Sequence, residues 1–143
     1  MFTDAKTALD FILAGKSRFT LTSTVSGNSF TFKIDAPKDR ETGEVDRSIL
    51  FIKVLNGPDN SWNGDWLFLG FIREGGSLAG GKKGHPDAPS FRALDWTLNQ
   101  LAAGNLPESL EIRHEGQCGR CGRALTVPAS IDSGFGPHCA TQL

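Results

Sequence analysis

The sequence predicts an α+β domain: an antiparallel sheet of four or five strands, two helices packed on it, and a zinc knuckle or ribbon-like tail. Three observations carry this. The runs Arg18–Thr22 and Phe30–Ile34 alternate apolar and polar residues around Ser26-Gly27-Asn28, the pattern of a β-hairpin with one buried face. Two other segments, near residues 4–15 and 89–104, space their apolar residues with a helical period. All three cysteines fall between residues 118 and 139, with a spacing suited to a metal ion.

In chain order, Asp4 can cap a first helix in which Ala5, Ala8, Leu9, Ile12 and Leu13 share a face, and Gly15 can end it. The hairpin follows. Residues Asp35 to Arg47 carry five acids against three bases, with Pro37 and Gly43 among them, and read as a solvated loop. Ile49 to Leu55 reads as a buried strand stopped by Asn56-Gly57-Pro58-Asp59. Trp66 to Ile72 reads as another strand, apolar on both faces. Four strands in meander order give an antiparallel sheet.

The segment "REGGSLAGGKKGHPDAPS" is rich in glycine, basic at Arg73, Lys82, Lys83 and His85, and nearly free of apolar residues, so it reads as a mobile loop. Pro89-Ser90 opens a second helix with Phe91, Leu94, Leu98 and Leu101 on one face, closed by Gly104 and Pro107. A last strand, Leu110 to His114, places Leu110, Ile112 and His114 on one face and delivers His114 to the cysteines. The organisation expected is an α+β body over residues 1–112 and a zinc-binding subdomain over 113–143.

The formal charge of −1 does not suit a protein that coats nucleic acid by charge alone, so any such contact must be local. No basic start with an apolar core opens the chain, and no apolar run approaches the roughly 20 residues that span a bilayer. A cytoplasmic protein without membrane contact is expected. The odd, clustered cysteines agree, since a secreted disulfide framework would pair them.

In "HEGQCGRCGRALTVPASIDSGFGPHC", Cys118 and Cys121 form a knuckle whose glycines permit the turn that aims backbone N–H groups at sulfur. Cys139 is the natural third ligand, and His114 and His138 compete for the fourth place. Adjacent side chains point in different directions, which strains a site using both His138 and Cys139. His114, Cys118, Cys121 and Cys139 are therefore the expected Cys₃His set. Four protein ligands leave no open position, so the zinc is expected to be structural.

The pattern H-E-G-x-C-x-x-C-G-R-x-L-T-x-P-x-S-I-x-x-G-x-G-P-x-C resembles the C-terminal signature of a family of small phage and prophage proteins of unknown function. "LAAGNLPESLEIRHEG" and "LNGPDN" are similar to other segments of that family. The resemblance implies a phage accessory protein with a zinc tail, akin to zinc modules on phage replication and helicase proteins. It also implies that the position before the last cysteine is not reserved for histidine, which favours His114.

No catalytic constellation stands out: the chain lacks tyrosine, G-x-S-x-G and H-E-x-x-H, and "HEGQC" does not meet the zinc-deaminase spacing. "GGSLAGGKKG" lacks the Ser or Thr of a phosphate loop, because Gly84 follows Lys83. A non-catalytic protein without a small-molecule substrate is expected. Its leading role is nucleic-acid binding through Arg73, Lys82, Lys83, Arg120 and Arg123, with Trp62 or Trp66 for stacking. The alternatives are a protein-binding antidefence inhibitor that meets a host immune complex through the acidic 35–47 loop, and a purely structural zinc protein.

Overall fold

The computed structural model describes residues 1–55, 66–74, 76–125 and 133–140, excluding the side chains at positions 137 and 138. The Asn56–Asp59 turn, Trp62 and the stretch of the tail motif from 126 to 132 lie outside the described residues.

The described elements are α1 (Ala5–Ile12), β1 (Lys16–Ser23), β2 (Ser29–Asp35), β3 (Ile49–Leu55), β4 (Trp66–Arg73), β5 (Leu78–Ala79), α2 (Pro89–Ala102), β6 (Leu110–His114) and α3 (Pro137–Ala140). The strands form one sheet in the order β5-β4-β3-β2-β1-β6, antiparallel at every pairing. The α+β class is as the sequence predicts, with one strand more than expected.

Local chemistry sets the helix ends. Asp4 accepts from the Thr7 N–H at 2.9 Å, satisfying one orphan donor of α1, and Pro89 opens α2 where its missing N–H costs nothing. One face of the sheet carries Phe19, Phe32, Ile34 and Ile52, all fully buried beneath Phe11 and Ile12 of α1 and Leu94 of α2. Each side chain of this size stabilises the fold by about 1.5–3 kcal/mol on leaving water.

The extra strand lies in the glycine-rich segment, which packs along β4 where a mobile loop was expected. The reason is steric. A Cβ at Gly70 would sit 2.3 Å from the Ala79 carbonyl oxygen, and one at Gly84 would sit 2.4 Å from that of Leu69. Glycine thus lets two backbones approach within hydrogen-bonding reach, as in the 2.8 Å bond from the His85 N–H to the Leu69 carbonyl. A register shift between Ile52 and Lys53 inserts Leu69 as an extra residue in β4. Phe68 and Phe71, three apart in sequence, consequently emerge on the same face.

Candidate metal centre

Strand β6 ends at His114, and Gly116, with φ of 82°, turns the chain into a tight loop. The Gln117–Ala124 bridge closes the loop, with Cys118 N–H donating to the Arg123 carbonyl and Gly122 N–H to that of Cys118, both at 2.8 Å. These bonds hold Cys118 and Cys121 on one turn. Cys139 comes from α3, and its approach is fixed by the bond from Gly119 N–H to the Gly134 carbonyl at 2.8 Å. The loop is tied to the sheet through Lys16 N–H and the Gly119 carbonyl at 2.9 Å. Glycine is required at 119 and 134 because a Cβ at either would come within 2.5 Å of the Phe11 ring.

The result is a cluster of Cys118, Cys121 and Cys139 whose sulfurs all lie within 4.8 Å of one another. A zinc–sulfur bond of about 2.3 Å in tetrahedral geometry asks for sulfurs about 3.8 Å apart, so the three could close on one ion with little movement. Cys118 and Cys139 are buried and Cys121 is exposed. Burial pushes the Cys118 thiol up, but the N–H groups of Gly136, Cys121 and Arg120 outweigh it and bring the pKa down to about 7. Burial, followed by the neighbouring Cys121 and Cys118, pushes Cys139 up to about 11, against the Arg120 side chain. One thiolate is therefore favoured, while a second meets like charge that a cation would relieve.

Sequence reasoning placed His114 among the ligands, and the structure does not bring it to the three cysteines. It faces the core side of β6 as expected, but its ring centroid lies 5.6 Å from those of both Phe2 and Phe11. Its Nδ1 accepts from the Gly116 N–H at 2.9 Å. That bond engages Nδ1 with the backbone. The side chain of His138 lies outside the described residues.

The five predicted basic residues do not form one patch. Arg73 ends β4, and the exposed Lys82 and Lys83 follow β5 at one edge of the sheet; Arg120 and Arg123 follow β6 at the other. The Arg120 side chain acts to lower the Cys139 thiol pKa, a role in the thiol site that spacing alone gave no reason to assign. What sequence reasoning left aside is the sheet face between those edges, where Arg18, Lys33 and Trp66 meet: the Arg18 and Lys33 head groups lie 5.2 and 4.8 Å from the Trp66 ring centroid. The signal was present in the polar phase of β1 to β3, which is cationic at Arg18, Lys33 and Lys53.

Residues 108–143 match DUF6011, a family of unknown function. The matched stretch holds β6, the knuckle and Cys139, so the likeness covers the thiol site and the strand that feeds it. No curated protein and no solved structure matches the chain. No described helix is long and apolar enough to cross a membrane.

Proposed function

We propose that the three thiols hold one structural zinc ion and that the protein is a non-catalytic, nucleic-acid-binding accessory module, encoded by a phage and working in the cytoplasm of its bacterial host. Arg120 on Cys139 would balance part of the negative charge of a zinc–thiolate centre, with the fourth coordination position taken by a group other than His114.

The observation that carries the nucleic-acid reading is the placement of charge. On a chain of net charge −1, the partly exposed Lys53 and the exposed Lys16 lie on one sheet face with the buried Arg18 and Lys33, Arg18 paired with Glu115, and Lys16 runs alongside the knuckle, where a Cβ at Gly122 would lie 3.2 Å from the Lys16 Cδ. Local cations of this kind contact phosphates and make affinity fall steeply with salt. Zinc-loaded protein titrated with labelled DNA and RNA at low and moderate salt tests the reading; absence of binding at low salt removes it. Zinc analysis tests the metal assignment in parallel: His114→Gln is expected to keep one zinc per chain and Cys118→Ser to lose it.

One observation favours the protein-binding antidefence reading as the alternative. The acidic segment is a built hairpin, bridged at Lys38 and Val45 and turned by Asp39, which accepts from the N–H groups of Glu41 and Thr42 at 2.7 and 3.1 Å. It holds Glu41 and Glu44 out to solvent. Loss of a host-protein complex on Glu41→Lys with Glu44→Lys would shift the conclusion to that reading.

A further inference from the structure

The three thiols of the tail are unequal, and the fold makes them so. Cys118 is fully buried and Cys139 is 4% exposed, whereas Cys121 stands open to solvent. The difference follows from what the loop leans on. Gly119 and Gly134 press against the Phe11 ring, and Phe135 meets the same ring at 6.0 Å, so the side of the loop that carries Cys118 is packed against α1. Three residues on, the chain has turned outward: Cys121, Arg123 and Ala124 are all exposed.

The turn also fixes which sulfurs belong together. Cys118 N–H donates to the Arg123 carbonyl, Gly122 N–H to that of Cys118 and Leu125 N–H to that of Gly116, each at 2.8 Å. These bonds put Cys118 and Cys121 on one short loop, which Cys139 joins from α3. All three sulfurs lie within 4.8 Å of one another, near enough for side-chain rotation to join a pair that shares a loop. Oxidation selects by access and by a neighbour: a small oxidant in water meets the exposed thiolate, and the product becomes a disulfide where a second thiolate stands by to resolve it. Cys121 meets the first condition and Cys118 the second. A zinc-bound sulfur is already a thiolate, so no change of pH is needed.

We propose that Cys121 is an oxidation site for hydroperoxides, with Cys118 as its resolving partner, so that oxidation releases the metal and unties Cys139. The Cys121 thiolate attacks one oxygen of hydrogen peroxide: a sulfur–oxygen bond forms, the oxygen–oxygen bond breaks and hydroxide leaves. The Cys118 thiolate then attacks the Cys121 sulfur, which forms the disulfide and expels the second hydroxide. Two solvent protons turn both hydroxides into water. The two sulfurs have lost two electrons between them, and the peroxide has gained them. Zinc holds thiolates and not disulfide sulfur, so it keeps Cys139 alone of the three and leaves. In a reducing compartment such a bond is transient, and reduction restores the site. Oxidation therefore differs from simple metal loss: the disulfide still staples residues 118–121, while the stretch that carries Phe135 and Cys139 loses its tie.

This inference rests on the zinc reading above, and one experiment separates the two. Trypsin cuts after Arg113, Arg120 and Arg123, which leaves each cysteine on its own peptide. Full-length, zinc-loaded protein is treated with limiting iodoacetamide and, in a second sample, with hydrogen peroxide. A chromogenic chelator follows zinc release, and mass spectrometry of the tryptic peptides maps the thiols. The expected result is alkylation of Cys121 ahead of Cys118 and Cys139, and one zinc released for each Cys118–Cys121 disulfide, with disulfide and zinc loss both reversed by dithiothreitol and fresh zinc. Hydrogen exchange of the oxidised protein should show protection lost over residues 133–140. Alkylation that begins at a buried cysteine, or a peroxide product that joins Cys121 to Cys139, overturns the assignment. Unchanged protection over residues 133–140 in the oxidised protein overturns the untying. Purified protein that holds no zinc, yet is alkylated first at Cys121 and forms the Cys118–Cys121 disulfide, overturns the metal reading and leaves the oxidation site standing.

Discussion

Strands β1 to β4 and the tail after His114 keep their shape by different means. In the sheet, each strand is bonded along its length to a neighbour, and fully buried side chains such as Phe32 and Ile52 sit under two helices. Among its described residues the tail has one isolated bridge at Gln117 and Ala124 and the four residues of α3, and it contributes Cys118, Phe135 and Cys139 to the buried apolar cluster, with Leu125 packed against it. Two of those three are candidate metal ligands. The described part of the tail buries few apolar side chains, and a metal ion held by its three thiols would supply order without extra residues. The sheet should therefore be indifferent to metal and the tail dependent on it.

Metal removal gives the largest expected effect. Chelation, or Cys118→Ser, should cost the tail on the order of 10 kcal/mol of ordering free energy, read by hydrogen exchange as lost protection over residues 116–125 with β1 to β4 still protected. Equal loss in both regions would break the distinction and make the ion a keystone of the whole fold. The reverse perturbation is Ile52→Ala in the central strand, expected to lower global stability by about 2–5 kcal/mol through the cavity it leaves, while zinc stoichiometry in the folded protein stays at one per chain.

Gly119→Ala probes the seam between the two regions. The added Cβ would meet the Phe11 ring at 2.5 Å, and overpacking of this kind costs about 1–3 kcal/mol. The expected outcome is weaker zinc retention in a chelator competition at nearly unchanged far-UV signal. The smallest effect belongs to the sheet side. Thr7 side-chain and backbone hydrogen bonds lower the Asp4 pKa from its ordinary value, so the cap stabilises fully above that value and is lost as pH falls through the lowered one. Asp4→Ala should lower the melting midpoint slightly at neutral pH and not at all at strongly acidic pH, with zinc content unaffected.

The elements legible in the sequence were those governed by local rules. Asp4 and Pro89 mark helix starts because capping is settled within one turn, and the alternation in Arg18–Thr22 and Phe30–Ile34 fixes which residues face the core. Knuckle spacing likewise announced Cys118, Cys121 and Cys139, since two thiols three residues apart reach one ion whatever surrounds them. The glycine-rich segment misled because its permissiveness suggested mobility, while Gly84 serves close backbone approach to Leu69 of β4, a property of the partner strand. His114 lies at a distance along the chain from Cys118 that suits a ligand, while its ring meets a backbone N–H two residues away and two phenylalanines, neighbours that spacing does not reveal.

By itself the sequence determined the helices, the strand phases and a thiol cluster, because each follows from residues close along the chain. The tertiary structure alone decided what those parts face. Strand order put Lys82 and Lys83 at one edge and Arg123 beyond the other, cross-strand register lined up Arg18, Lys33 and Lys53, and one extra residue at Leu69 turned Phe68 toward Phe71. Those neighbours are distant in sequence, and their meeting depends on pairing and packing that no local pattern encodes.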